Sequence, residues 1–304
     1  MAETELLAAP TPTGHAPELP RGGRPPRWWH SKRLLLGLAI LALLYLGTLV
    51  ARLWVGREET EIFAFPVSLS PSGDHLLGTD KQGRDVFAQM LYSTAPTFEM
   101  VLVAGFLATL VGTAAGLVSG YFRGAPDTIV RGISDVMLGI PAFSMLILVA
   151  AILGRLSLIG MGLVIALFSW PLVARAVRSQ VLSLREQPFV TISRLSNRSS
   201  LGIMVFELLP NMLTFVTAMF VGGVSGALAM AIGVQLIGLG PVDTQTLGLT
   251  LQNALANGAL SQGVWWWWLP PAGILVLFFV GLFLVSLAVD EISNPRLRKA
   301  AGHA

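Results

Sequence analysis

Met100-Val-Leu-Val-Ala-Gly-Phe-Leu-Ala-Thr-Leu-Val-Gly-Thr-Ala-Ala-Gly-Leu-Val-Ser-Gly-Tyr-Phe122 contains no Asp, Glu, Lys or Arg. About 20 mostly apolar residues cross the hydrocarbon core of a bilayer as a helix, and one charge at the centre of such a helix costs about 2.5 to 3.5 kcal/mol. The stretch therefore predicts a transmembrane helix, and the same test finds others. Leu34–Ala51, Val136–Leu153 and Leu156–Ala174 are also free of charge. From Leu208 to Val289 the only charged residue is Asp243, so that region is expected to hold two spans, near Met212–Leu236 and Trp266–Val289. The composition agrees: 54% of residues are hydrophobic and 12% charged, against about one quarter charged in a soluble domain, and the mean hydropathy is +0.70. The fold class expected is an all-α integral membrane protein of about six transmembrane helices.

Direction follows from Lys and Arg, which accumulate in cytoplasmic loops. With the N-terminus inside, six crossings place fifteen of the twenty Lys and Arg inside and five outside. The outside group is Arg52, Arg57, Lys81, Arg84 and Arg155. This supports a multi-pass chain with both termini cytoplasmic. The expected divisions are a disordered cytoplasmic tail (1–33), a first helix (34–55), an extracytoplasmic loop (56–97), a core (98–290) and a second cytoplasmic tail (291–304). The basic flank Arg27–Arg33 precedes a long apolar run without a small-residue cleavage site, which marks an uncleaved helix rather than a signal peptide. Trp265–Trp268 are expected to anchor the last span at the outer interface.

Several chemistries are excluded or unsupported. There is no cysteine, hence no disulfide, thiolate nucleophile or thiolate metal site. His15, His30, His75 and His303 lie far apart and none has metal-ligand spacing. No catalytic triad and no phosphate-binding G-x-x-x-x-G-K-[ST] loop is present. The pI of 9.7 accompanies a net charge of only +3, which topology explains without nucleic acid. Coupling to an ion gradient would call for ionisable groups inside the spans. Glu99, Asp135 and Glu207 are instead expected near helix ends. A transporter built this way needs a separate ATPase, and the stretch 175–210, with five arginines, far exceeds the roughly two to eight residues that join bundle helices. Phe189, Ile192, Leu195, Leu201 and Ile203 give it a loosely helical apolar spacing, which fits either a docking helix or an interfacial helix.

His75-Leu-Leu-Gly-Thr-Asp-Lys-Gln-Gly-Arg-Asp85 closely resembles the H-P-L-G-T-D-x-x-G-R-D signature of the C-type permease subunit of dipeptide, oligopeptide and nickel ABC importers, with Leu76 in place of the proline. Gly120–Gly124, Asp135 with Ile140-Pro141, Ser169–Arg175, Val181–Glu186, Gly238-Leu-Gly240 and Asn294–Arg298 resemble further family segments in the same order. The resemblance implies a type I ABC importer transmembrane domain. It places the family's EAA coupling helix at Phe189–Gly202, with Thr191, Ile192, Ser193, Arg194, Leu195, Ser196, Asn197 and Arg198 facing an ATPase. Thr191 stands where the family has Glu, Ile192 and Ser193 where it has two Ala, and Asn197 where it has Gly. Asn is the residue after Gly that best tolerates a left-handed backbone. Ala231 falls where many relatives carry Glu.

The extracytoplasmic motif residues are Gly78, Thr79, Asp80, Gly83, Arg84 and Asp85. Asp80, Arg84 and Asp85 either pair with one another or contact a binding protein. Thr244–Gly263, with Gln245, Gln252, Asn253, Asn257 and Gln262, is a second outer surface that is either a docking site or an interfacial helix. The resemblance implies as partners a homologous permease, one or two ATPase subunits, an extracytoplasmic solute-binding protein and the lipid of a bacterial or archaeal cytoplasmic membrane. The chain itself is expected to bind no cofactor and no metal and to catalyse nothing, with ATP and Mg on the ATPases. Peptides lead the expected cargoes, with nickel chelates, opines or oligosaccharides as alternatives. A secondary carrier or a non-transporting scaffold are the alternatives of another class.

Overall fold

The computed structural model describes residues 31–154, 156–241 and 243–293; the two expected tails, apart from Ser31–Arg33 and Glu291–Ser293, and Arg155 lie outside them. The helices are α1 (Lys32–Ala51), α2 (Val86–Phe122), α3 (Gly124–Gly139), α4 (Ala142–Leu153), α5 (Leu158–Leu184), α6 (Pro188–Leu195), α7 (Ser200–Ile203), α8 (Leu209–Asn211), α9 (Leu213–Leu236), α10 (Leu247–Ala256) and α11 (Trp265–Ser293). Five of them are long and apolar enough to cross a membrane, or six spans if the bent pair α3 and α4 counts as one. Among the described residues the extended chain makes a single isolated bridge, Thr79 with Asp85.

The central contact is α2 against α5, and its cause is legible in the residues. Gly112, Gly116 and Gly120 recur every fourth position and share one face of α2. A Cβ on Gly112 would lie 2.6 Å from Val173 Cβ, on Gly116 2.7 Å from Val177 Cβ, and on Gly120 2.8 Å from Val181 Cβ. The two backbones therefore meet only because the α2 face has no side chains there, the small-residue logic of helix association in lipid. A smaller version joins α1 to α11, where a Cβ on Gly37 would lie 2.8 Å from the Gly281 carbonyl oxygen. A core of Met100, Ile165, Leu228, Val234 and Phe278 fills the space between α2, α5, α9 and α11.

Three expectations about the elements are corrected. Residues 86–97, assigned to the outer loop, are the first turns of α2, which is 37 residues long, or about 55 Å at 1.5 Å per residue, against a hydrocarbon core of about 30 Å. These turns are themselves uncharged but are cut off from the run beginning at Met100 by Glu99, and their polar residues Gln89, Ser93, Thr94 and Thr97 are all buried and all hydrogen-bonded. Glu99 consequently lies inside α2, not near its end, within reach of the Tyr45 hydroxyl at 3.4 Å. Val136–Leu153, expected as one helix, is broken: α3 and α4 meet at 82°. Pro141 cannot donate to the helical ladder and forces Ile140 out of the helical region, to φ −101° and ψ 131°.

Candidate functional site

Two regions at opposite ends of the bundle hold the residues singled out in the sequence. The first surrounds the N-terminus of α2. Asp80 is fully shielded, and its carboxylate accepts four hydrogen bonds. Oδ1 receives the backbone N–H of Gln82 (2.7 Å) and Arg84 (3.0 Å), and Oδ2 receives Arg84 Nε (2.7 Å) and Gln89 Nε2 (2.9 Å). Asp85 does not join that pair. It caps α2 by accepting from the Ala88 N–H at 2.9 Å and holds His75 Nδ1 at 2.8 Å. Thr79 donates to the Pro66 carbonyl at 2.7 Å and accepts from the Leu69 N–H at 2.9 Å.

Gly78 and Gly83 have φ of +66° and +70°, and a Cβ on either would come within 2.3 Å of a carbonyl oxygen, that of Leu69 or Phe65. Glycine alone fits both the dihedral and the space. All six motif residues thus serve one compact cap. It is extended by Gln245, which donates to Gln89 Oε1 at 2.9 Å, and by Lys81, which donates to the Asn257 carbonyl at 2.8 Å. The first half of the segment 244–263 is therefore not a free strip, since Thr246, Leu247, Gly248, Thr250 and Ala254 are buried, whereas 255–257 and 260–263 are exposed. The tryptophans also depart from expectation. Trp267 is 0% exposed and Trp266 Nε1 reaches the Thr79 carbonyl at 3.4 Å, so these two brace the cap, whereas Trp265 is half exposed.

The second region lies at the other end, where α2 stops, α3 starts and α5 leads into α6. α5 continues to Leu184, so Arg175 and Arg178 are helical rather than part of a connector. Arg178 grips Asp127 with both arms of its guanidinium, at 2.5 and 2.8 Å, and Ser119 donates to the same carboxylate at 2.9 Å. Arg175 pairs with Asp135. Arg185 donates to the Gly120 and Tyr121 carbonyls at 3.2 and 2.6 Å, satisfying carbonyls that the last turn of α2 leaves open. Sequence reasoning missed these joints. The signal available was the i, i+3 spacing of Arg175 and Arg178 and their match to Asp127 and Asp135 on a neighbouring helix.

α6 begins with Pro188 at its first turn, where the missing N–H costs nothing. It closes on Ser196 and Asn197. Asn197 has φ +56°, the Asn197 N–H bonds the Arg194 carbonyl at 3.0 Å, and the Arg198 N–H bonds the Ser193 carbonyl at 3.2 Å. This is a Schellman end with Asn in the glycine position. Of the expected apolar residues Ile203 is buried and Phe189 half-buried, and Val190, not among them, is buried as well, with Tyr121, Val177, Val181 and Met204. Ile192 is 62% and Leu195 82% exposed, and Thr191, Leu201 and Arg198 are exposed too. Arg194 lies over the Tyr121 ring, 5.4 Å from its centroid, and Arg198 is paired with Glu207. Among the described residues no group of three or more His, Asp or Glu is placed to hold a metal.

α6 is thus a short surface helix held at the charged end of the span bundle, with the large apolar side chains Ile192 and Leu195 left bare. Residues 112–299 match the family described as binding-protein-dependent transport system inner membrane component. The chain belongs to this family. The matched region runs from the glycine face of α2 through α11 and includes the whole second region. Over 287 residues the chain is 29% identical to the dipeptide transport system permease protein DppC of Haemophilus influenzae, covering 90% of this chain and 94% of that one. It is 28% identical over 227 residues to the oligopeptide transport system permease protein OppC of Lactococcus lactis subsp. lactis, covering 73% and 76%. A DppC of Alkalihalophilus pseudofirmus is 30% identical over 210 residues, 69% of each chain. As a member of this family the chain is a membrane permease component, of a class that works with separate ATPase and substrate-binding proteins.

Proposed function

We propose that the chain is one of two homologous permeases forming the pore of an ATP-driven importer of peptides in a prokaryotic cytoplasmic membrane, with both termini and α6 on the cytoplasmic side. The observation that carries this is the division of α6 into two faces. Val190 seats it on the ends of α2 and α5, while Thr191, Ile192 and Leu195 are exposed for an ATPase. ATP and Mg belong to that partner. Closure of the ATPases would push on α6, and the rigid joints of Arg194 to Tyr121, Arg185 to the end of α2, and Arg178 to Asp127 would carry the movement into α2, α3 and α5. The extracytoplasmic binding protein would deliver solute at the opposite cap. Peptide as cargo is supported by the relatives OppC and DppC, an oligopeptide and a dipeptide transport system permease protein.

The test is Leu195→Asp, and separately Arg194→Glu, in the assembled transporter reconstituted in vesicles. Both variants insert, because neither side chain is in the chain's buried core. Uptake should fall about tenfold or more, as expected when a buried apolar anchor is lost from an interface. Undiminished uptake by both would remove α6 from the coupling path.

A further inference from the structure

The end of the bundle that carries α6 also contains a polar cavity of about 420 Å³ between α3 and α5, lined by Val130, Arg131, Ser134, Asp135, Ala174, Arg175 and Arg178. Three guanidiniums face two carboxylates there, Asp135 in the lining and Asp127 beside Arg178, so one positive charge is left over. Its source can be named. Arg178 is committed to Asp127 and Arg175 to Asp135, whereas Arg131 makes no contact-distance ion pair or hydrogen bond among the described residues and acts on Asp127, already held by Arg178, only from farther away. A second observation points the same way. The Ser134 side chain is 4% exposed and its hydroxyl, shielded from solvent, has no hydrogen-bond partner. Buried hydroxyls left without a partner are uncommon and costly. An unpaired guanidinium and an unpaired hydroxyl lining one cavity form a site for an oxyanion.

The position of the cavity narrows the class. Arg175 is the first charged residue of α5 after the apolar run Leu158–Ala174, which is the depth at which lipid phosphates meet water. One turn deeper, Leu138 (three residues past Asp135) and Leu172 (three residues before Arg175) share the faces that line the cavity and are 36% and 65% exposed. Charge at the boundary with bare apolar side chains immediately below suits an amphiphile: phosphate in the cavity, acyl chain along Leu138 and Leu172. We infer that this cavity binds a phosphate group, supplied by the headgroup of an anionic lipid, between Arg131 and Ser134. Because the ion pairs that clasp α3 to α5 line the same space, an occupant there would bear on how firmly α3 is held ahead of its break at Pro141.

The test uses the assembled transporter in nanodiscs of phosphatidylcholine with one-fifth phosphatidylglycerol, with copurifying lipid quantified by native mass spectrometry. Wild type should retain phosphatidylglycerol in preference to phosphatidylcholine, and Arg131→Gln should lower that preference about tenfold, as for loss of one charge-assisted hydrogen bond. Arg131 is exposed and unpaired, so this variant should assemble normally, which size-exclusion chromatography of the complex verifies. A parallel arm titrates inorganic phosphate into nanodiscs of pure phosphatidylcholine. Saturable binding there, lost in Arg131→Gln and without any phosphatidylglycerol enrichment, would support the phosphate site but give it a soluble occupant. Equal lipid retention by wild type and variant together with no phosphate binding would overturn the inference, as would a photocrosslink from position 131 to the partner permease, which would show the cavity filled by protein.

Discussion

Asp80 shows how a residue that looks functional in a motif can be committed to architecture. Two of its four hydrogen bonds come from Arg84, one of them from the largely buried guanidinium that it neutralises, so Asp80→Ala leaves a guanidinium without its counter-charge in a shielded place, a change that costs about 3 to 5 kcal/mol. Asp85→Ala removes a helix cap and a histidine contact and should cost nearer 1 kcal/mol. The expected outcome is loss of membrane-inserted chain for Asp80→Ala and a modest drop in melting temperature in detergent for Asp85→Ala. Equal effects would mean the cap is not organised around Asp80. At the other end, Asn197 at φ +56° makes a directional prediction: Asn197→Gly should leave the melting temperature nearly unchanged, while the β-branched Asn197→Val should lower stability by about 1 to 2 kcal/mol, the penalty of a left-handed backbone. The left-handed turn was readable from the resemblance that puts Asn197 at a glycine position together with the tolerance of Asn for that backbone. That Asp80, and not Asp85, pairs with Arg84 was not, since both are close enough in sequence and only the backbone of the turn chooses.

At the scale of elements, the apolar runs located the spans but not their ends or their breaks. A test for absent charge cannot see that Pro141 bends an uninterrupted apolar run, nor that Gln89, Ser93, Thr94 and Thr97 are satisfied within a helix. Periodicity likewise picked out the apolar residues of this stretch without saying which would be buried: Phe189, Val190 and Ile203 pack on the bundle while Ile192 and Leu195 stay exposed. Bare apolar side chains are ordinary in a subunit designed to be covered, and one sequence does not say what covers them. The glycine face of α2 was legible in its spacing, and its energetics are testable. Gly116→Leu must drive α2 and α5 apart, since even a Cβ there lies 2.7 Å from the Ala174 carbonyl and from Val177 Cβ. A Cβ at Gly132 on α3 would meet nothing within 4 Å, which makes Gly132→Leu the matched control. The first should abolish a monodisperse peak in detergent and the second should preserve it; tolerance of both would mean that the α2–α5 contact is not the centre of the fold.

For the whole molecule, the distribution of Lys and Arg sets an expected orientation, and the fold agrees with it on which elements share a side. Arg33 pairs with Glu291, which brings the start of α1 to the end of α11. Trp266 meets Thr79, which brings the start of α11 to the start of α2. The end of α2 meets Arg185 and α6. The start of α1, the end of α11 and α6 therefore share one side, and the Asp80 cap lies on the other. The absence of cysteine makes this directly measurable, because a single introduced thiol is the only one in the chain. Phe63 at the cap and Leu195 on α6 are 78% and 82% exposed and so suit substitution. A membrane-impermeant maleimide should label Phe63→Cys in intact cells but not Leu195→Cys, and should label Leu195→Cys, but not Phe63→Cys, in inside-out vesicles unless bound ATPase shields it, in which case stripping the ATPase restores labelling. The reverse pattern would put α6 outside the cell, where no ATPase could reach it, and the importer reading would fall with it.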